Sequence, residues 1–261
     1  MCDIVQSDNI DMPSATSLLK FIKIKEILYS IRKAWNKYLS KPRVVVVYGE
    51  SGVGKSQFLH TILNNGVISE ERTNDKTKMR LELADGHKID FVDTPGHMSL
   101  QVVRKTLNKE FAKGKIYGVI NVVDYGYMST PTLKNDDVFR AGTNEVKQEF
   151  LRDNRKREIK QIEEWVDLID KESDVRWFMT VINKADVWYD DFEEVTNYYE
   201  SGDYYEEIKA LNHCCRIVCY PFCSIMTPYC GKPMLLSMSE KDKRRMHKSL
   251  YDELLRLTFE N

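Results

Sequence analysis

Residues 43–64 constrain this chain more than any other stretch. A β-branched run from Val44 to Val47 predicts a buried strand, and the apolar spacing from Phe58 to Leu63 predicts a helix. Between them, residues 49–56 read Gly-Glu-Ser-Gly-Val-Gly-Lys-Ser. This strand, glycine loop and helix start match the pattern whose backbone N–H groups wrap a pyrophosphate.

Each residue type in this loop has a chemical reason. Glycines allow the backbone to approach phosphate closely, the Lys55 ammonium can face terminal phosphates, and the Ser56 hydroxyl can bind Mg²⁺. The residues predicted to bind phosphate are Gly49, Glu50, Ser51, Gly52, Val53, Gly54, Lys55, Ser56 and Gln57.

Composition narrows the class of protein. The 261 residues are 42% hydrophobic and 30% charged, as in a soluble globular protein, and the formal net charge of −1 argues against non-specific nucleic-acid binding. No run is long enough to span a membrane, so a cytoplasmic protein is expected.

Five cysteines fall within residues 214–230 without paired Cys-x-x-Cys spacing. They are interpreted as reduced core thiols, with a zinc site as the minority alternative.

Residues 1–41 are expected to form a tail and an amphipathic helix, the helix covering residues 14–40. Its apolar stripe comprises Ile24, Leu28, Ile31, Trp35 and Tyr38. Three interpretations remain open for this stripe: packing on the chain's own core, binding a protein partner, or peripheral contact with an anionic membrane.

A second motif follows a predicted hairpin. Residues 67–78 are polar and are predicted to form a mobile loop, whereas 79–83 and 88–93 alternate and are predicted to pair. The hairpin delivers Asp93 to a strand end, followed by Thr94, Pro95, Gly96 and His97. Asp93 could hold Mg²⁺, the Gly96 N–H could meet a γ-phosphate, and His97 could orient an attacking water.

The middle of the chain predicts further strands and helices. Helices are expected over 98–113 and 144–171, and a strand buried on both faces over 116–123. Residues 124–142 are predicted to form a long loop, functional or mobile, within an insertion near 125–157.

A third motif, Asn183-Lys184-Ala185-Asp186, ends a strand predicted over 176–182. The Asp186 carboxylate can accept from both the N1–H and the exocyclic amine of guanine, while the Lys184 stem covers the base. Adenine has neither of these donors, so the presence of Asp186 argues against ATP as the nucleotide and against an ATPase.

The C-terminal part predicts helical structure over 188–212 interrupted at Gly202, and a last strand over 216–223. Ser239 and Asp242 resemble a capping box that opens a terminal helix. The core-facing stripe of that helix comprises Met246, Leu250, Leu254 and Leu257.

Together the three motifs resemble the P-loop GTPases of the translation-factor and Ras-like (TRAFAC) class. The resemblance covers a GTP-binding domain alone, residues 42–261, because the chain is too short for the β-barrels that follow it in translation factors. It implies an α/β fold: a three-layer P-loop sheet, mostly parallel with one antiparallel hairpin strand, preceded by the N-terminal helix.

The resemblance also implies a set of site residues. Catalysis is assigned to His97, Lys55 and Thr73, and Mg²⁺ binding to Ser56, Thr73 and Asp93. Thr73 is preferred to Thr77 because it stands 20 rather than 16 residues before Asp93. The nucleotide-binding residues beyond the phosphate loop are Gly96, Asn183, Lys184, Asp186, Ser224 and Ile225.

One family element is incomplete. Where many relatives have Ser-Ala-Lys, this chain has Ser224-Ile225-Met226, so the lysine is missing while the Ile225 N–H can still meet guanine O6. The expected function is slow, Mg²⁺-dependent GTP hydrolysis in a molecular switch that alternates between GTP and GDP and binds a protein partner. The alternative is a nucleotide-stabilised scaffold with negligible turnover.

Overall fold

The computed structural model describes residues 23–31, 41–63, 67–72, 77–94, 116–130, 132–170, 175–226, 228–232 and 237–260. The chain divides into two compact units. The first comprises Met1–Lys41 with Leu83–His87, and the second comprises Pro42–Glu82 with Lys88–Asn261.

In the first unit, residues 23–31 form helix α1 and are exposed throughout. Three apolar side chains of the predicted stripe, Ile24, Leu28 and Ile31, are 54%, 59% and 55% exposed. The remainder of the helix predicted over 14–40 lies outside the described residues.

The second unit is built on a seven-stranded sheet of order β2-β3-β4-β1-β5-β6-β7. The strands are β1 (Arg43–Tyr48), β2 (Val67–Arg72), β3 (Thr77–Glu82), β4 (Lys88–Asp93), β5 (Ile116–Val123), β6 (Trp177–Ile182) and β7 (Arg216–Pro221). Strand β3 runs antiparallel to both neighbours, while β4, β1, β5, β6 and β7 are mutually parallel. The predicted fold, a mostly parallel α/β sheet with one antiparallel hairpin strand, is confirmed.

The prediction of a loop over 67–78 is wrong for most of its length. Strand β2 pairs with β3 in a register that runs from Val67 opposite Glu82 to Arg72 opposite Thr77. The sequence of β2 is mostly polar, so it lacks the apolar pattern by which a strand is predicted. The strand forms because pairing with β3 satisfies its backbone hydrogen bonds. The predicted β3–β4 hairpin is confirmed, with Glu82 opposite Lys88.

Helices surround this sheet. They are α2 (Lys55–Leu63), α3 (Asn135–Val138), α4 (Gln148–Asp170), α5 (Ala185–Trp188), α6 (Phe192–Glu200), α7 (Asp203–Ile208) and α8 (Glu240–Phe259), with 3₁₀ turns at Tyr189–Asp191 and Lys209–His213. The predicted interruption at Gly202 is confirmed between α6 and α7. The capping box of Ser239 and Asp242 and the buried stripe of α8 are confirmed as well. The helix predicted over 98–113 lies outside the described residues, and within them no helix is long and apolar enough to cross a membrane.

The core lies on both faces of the sheet because β1 side chains alternate between the two faces. On one face, the Tyr48 ring stacks on Trp165 of α4 with centroids 3.8 Å apart. Helices α2 and α8 meet through Phe222, which contacts Phe58 edge to face and stacks on His247.

The segment between β5 and α4 is mostly irregular, as predicted, and part of it packs into the core. Tyr125, Tyr127 and Met128 are buried, and a β-bridge joins Phe139 to Val146. The sequence did not reveal this packing because the buried side chains are scattered among turn residues and follow neither a helical nor a strand period.

Candidate nucleotide-binding site

Four parallel strands bring chemically active residues to one edge of the sheet. Gly49 follows β1, Asp93 ends β4, Asp124 follows β5 and Asn183 follows β6. Ligands of open α/β sheets bind at this carboxyl edge, so the three predicted motifs converge there.

Backbone geometry explains the glycines of the loop at 49–56. Gly49 and Gly52 have φ angles of +146° and +88°, which residues with a Cβ rarely adopt. A Cβ at Gly49 would stand 2.2 Å from the Val122 carbonyl oxygen, and one at Gly52 would stand 2.6 Å from that of Ser129. The loop therefore lies directly against the end of β5 and the segment that follows it.

Lys55 is held at the start of α2. Its Nζ donates to the carbonyl oxygens of Gly49 at 2.7 Å and Glu50 at 2.8 Å. Burial lowers the pKa of Lys55, against the opposing effect of Asp93 and other nearby carboxylates. A buried ammonium gains strongly from an anionic ligand such as a phosphate group.

Ser56 and Asp93 form a small oxygen cluster beside this lysine. The Ser56 Oγ donates to Asp93 Oδ2 at 3.4 Å. Asp93 Oδ1 is buried and has no hydrogen-bond partner among the described residues, and burial raises the pKa of this carboxyl. Hydroxyl and carboxylate oxygens are the ligands that Mg²⁺ prefers, so these two residues fit the predicted metal.

Asn183 hydrogen-bonds to two other segments of the chain and lines a cavity next to the glycine loop. Its Nδ2 donates to the Val53 carbonyl oxygen at 2.8 Å. Its Oδ1 accepts from the backbone N–H of Ser224 at 3.2 Å and from the Ser224 hydroxyl at 3.0 Å. The cavity has a volume of about 210 Å³ and is lined by Gly52, Gly54, Gln57, Ser129, Asn183, Lys184, Asp186, Val187, Ser224, Ile225, Pro228, Tyr229 and Cys230.

Asp186 lies in the wall of this cavity and is 5% exposed. Cys223 Sγ lies 3.5 Å from Asp186 Oδ1. Ile225 is 45% exposed at the rim. The structure thus places the predicted Asp186, Ser224 and Ile225 around one pocket.

Tyr229 is a lining residue that sequence reasoning missed. Its hydroxyl donates to the Met128 carbonyl oxygen at 3.0 Å, which ties it to the loop after β5. No motif surrounds Tyr229, so only the tertiary fold reveals its position.

Lys184 connects the cavity to the glycine loop. Its backbone is left-handed, with φ of +58°, which is uncommon for a residue with a Cβ. Its Nζ donates to the carbonyl oxygens of Gly52 at 2.7 Å and Tyr127 at 2.5 Å, and to Asp124 Oδ2 at 2.7 Å. Asp124 was also missed, although it follows a buried strand at the edge where Asp93 ends β4.

Three predicted site residues, Thr73, Gly96 and His97, lie outside the described residues. The alternative threonine, Thr77, begins β3 opposite Asp93. The preference for Thr73 therefore stays a prediction.

The cysteines of residues 214–230 show no common site among the described residues. Burial raises the pKa of the Cys215 and Cys223 thiols to about 12, which favours the neutral thiol. Cys214 lies near the exposed Asp170 and His213, with the potential ligand atoms all within 4.8 Å of one another.

The glycine loop, the serine and aspartate beside it and the adjoining pocket define a P-loop GTPase site. The model of the family described as 50S ribosome-binding GTPase matches residues 44–184, slightly more than half of the chain. The chain belongs to this GTPase family.

Curated relatives match a shorter part. Translation initiation factor IF-2 of Allorhizobium ampelinum is 31% identical over 84 residues, covering 31% of this chain and 9% of the relative. The IF-2 of Phenylobacterium zucineum is 35% identical over 69 residues, covering 25% of this chain and 7% of the relative. This chain thus matches less than a tenth of the length of either factor.

A solved structure titled "The Structure of the Mammalian SRP Receptor" is similar with a TM-score of 0.48 and 12% identity. The match covers 82% of this chain and all of that chain.

Proposed function

We propose that the protein binds GTP and GDP with Mg²⁺, hydrolyses GTP slowly and switches between two nucleotide-dependent forms. The observation that carries this proposal is the pocket formed by Asn183, Lys184 and Asp186 directly against the glycine loop. Base, phosphate and metal recognition would then lie within one continuous site.

Guanine would occupy the pocket beside Asp186. The carboxylate is nearly buried, so it gains most from a base that offers two donors at adjacent positions. Lys184 would cover the base with its stem while its ammonium stays on the Gly52 carbonyl.

Phosphates would lie on the N–H groups of residues 49–56, facing the Lys55 ammonium. When bound, Mg²⁺ would neutralise charge between the terminal phosphates. Ser56 and Asp93 would hold it, because Asp93 has a buried oxygen without a donor among the described residues.

His97 is proposed to place the water for in-line attack on the γ-phosphate. Positioning alone supplies much of the rate in a phosphoryl transfer with a loose transition state. The slow unassisted rate of such sites leaves room for an arginine from a protein partner.

Replacing His97 by Ala is expected to preserve GTP affinity and to lower the single-turnover hydrolysis rate by about tenfold or more. His87→Ala, in the turn before β4, is the matched control. An unchanged rate in His97→Ala, with and without an activating partner, would remove His97 from the mechanism and favour the scaffold alternative.

Denaturing the purified protein and identifying the released nucleotide by chromatography tests the proposal directly. GTP or GDP is expected. Release of ATP or ADP would contradict it.

A protein partner is proposed through α1, because its apolar side chains Ile24, Ile27 and Leu28 are each more than half exposed. Deleting residues 1–40 is expected to leave GDP affinity unchanged and to abolish complex formation. The measurements are GDP titration, thermal unfolding and co-purification. A large loss of thermal stability would instead favour packing of the stripe on the chain's own core.

A further inference from the structure

A buried carboxyl group on α4 is separated in space by one residue from Lys184, which lines the pocket proposed for guanine. Glu158 is 1% exposed in the middle of this long helix. Its Oε1 accepts from the backbone N–H groups of Asp124 and Gly126, each at 3.2 Å, and its Oε2 accepts from the Tyr199 hydroxyl at 2.6 Å. Glu158 is therefore fixed against the segment that follows β5.

Asp124 stands between Glu158 and Lys184. Its Oδ2 is 2.7 Å from Lys184 Nζ, and the residue has no exposed surface. Its Oδ1 is buried without a hydrogen bond of good geometry among the described residues, and the Gly126 N–H that faces this carboxyl group donates to Glu158 Oε1. Because the Glu158 carboxyl lies within side-chain hydrogen-bonding reach of Asp124, a proton on Glu158 would supply the missing donor.

Charge favours the same arrangement. Among the described residues, the cation that pairs directly with these two carboxyl groups is Lys184, through Asp124, and buried like charges raise each other's pKa. Burial, and then the negative charge of Asp124, raises the pKa of Glu158 to about 8. Asp124 is the ionised member because it pairs directly with the lysine.

Other titratable and charged groups among the described residues interact electrostatically with Asp124 or Glu158. They are Lys55 of α2, Tyr198 and Tyr199 of α6, Tyr204 of α7, Tyr127 of the segment after β5, and Tyr229 of the pocket wall. Burial raises the pKa of each of these tyrosines further above neutrality, so they stay protonated when Glu158 titrates.

We infer that Glu158 is a positioning residue for guanine-nucleotide binding, which donates its proton to Asp124 and thereby keeps the Lys184 ammonium on the Gly52 and Tyr127 carbonyls. The inference rests on the proposed nucleotide site. Loss of the proton adds a second negative charge next to Asp124. This charge attracts the Lys184 ammonium away from the glycine loop, so the Lys184 stem packs less closely on the guanine ring. Nucleotide affinity then falls as pH rises through the Glu158 pKa, and binding takes up a proton in that range.

The test is titration of the full-length chain with fluorescently labelled GDP between about pH 6.5 and pH 9.5. Glu158→Gln keeps an oxygen for the two backbone N–H groups and carries a permanent N–H donor. Glu163→Gln, exposed on the same helix, is the matched control. Comparing variant and parent at each pH cancels titration of the nucleotide itself.

The parent and Glu163→Gln are expected to lose about tenfold in GDP affinity from about pH 7 to pH 9, equivalent to a one-unit pKa shift between the free and bound forms. Glu158→Gln is expected to keep the low-pH affinity of the parent across this range. An equal pH slope in parent and Glu158→Gln overturns the inference and leaves the proposed function standing. Absence of GDP binding at every pH contradicts both.

A second measurement applies if circular dichroism shows that Glu158→Gln does not fold. Calorimetry of GDP binding between about pH 6.5 and pH 9.5, in two buffers of different ionisation enthalpy, reports the protons exchanged. Lys55 can also take up a proton when phosphate binds, so the parent is compared with Tyr199→Phe, which removes a hydrogen bond that lowers the pKa of Glu158. Proton uptake whose pH range moves upward in Tyr199→Phe supports the role of Glu158, and an unchanged range overturns it.

Discussion

Replacing Asp186 by Asn is expected to weaken GTP binding by about 3 kcal/mol, or roughly 100-fold, and to admit xanthosine triphosphate. The carboxylate is 5% exposed, so water does not replace the hydrogen bonds that guanine offers. An asparagine side chain keeps one acceptor for N1–H and turns a donor toward the second position, where xanthine carries an oxygen. Competition of each nucleotide against labelled GDP measures the change.

Asp203→Asn is the matched control because Asp203 is exposed at the start of α7. It should keep the guanine preference. If the unmodified protein bound ATP and GTP equally, or if Asp186→Asn kept full GTP affinity, the assignment of the pocket to guanine would be wrong.

Replacing Lys55 by Met is expected to lower GTP and GDP affinity by about 100-fold or more, within the 2–5 kcal/mol range for truncating a buried charged partner. The lysine is 8% exposed, and its ammonium would face the terminal phosphates in a site with little water. Methionine keeps most of the stem, so the change removes charge more than volume. Calorimetric titration with GDP and Mg²⁺ measures the loss.

The same substitution, Lys55→Met, is expected to increase the stability of the nucleotide-free protein. Burial lowers the pKa of Lys55, so folding favours its neutral form and the charged lysine costs stability below its unfolded pKa. The parent should therefore gain stability as pH rises toward that value, whereas Lys55→Met should show less of this gain.

Lys41→Ala, at an exposed lysine before β1, should change neither nucleotide affinity nor stability. Unchanged nucleotide affinity in Lys55→Met would refute the phosphate-binding assignment.

The sequence by itself determined the fold class and the convergence of the three motifs. Local patterns encode β1, the glycine loop and α2, because a buried strand needs a continuous apolar run and the loop needs glycines. Asp93 and Asn183 each end or follow a recognisable strand, so parallel topology alone places them at the same sheet edge. The roles of Thr73 and His97 stay predictions, since both lie outside the described residues.

Only the tertiary structure decided what surrounds those motifs. Strand β2 forms because β3 offers a partner edge, an interaction that its own polar sequence does not signal. By sequence, Glu158 is one of many charged residues in the helix predicted over 144–171, yet folding buries it against Asp124, which in turn pairs with Lys184. Burial and the neighbouring charge then decide its protonation, because a carboxyl group's pKa depends on the dielectric and the charges around it.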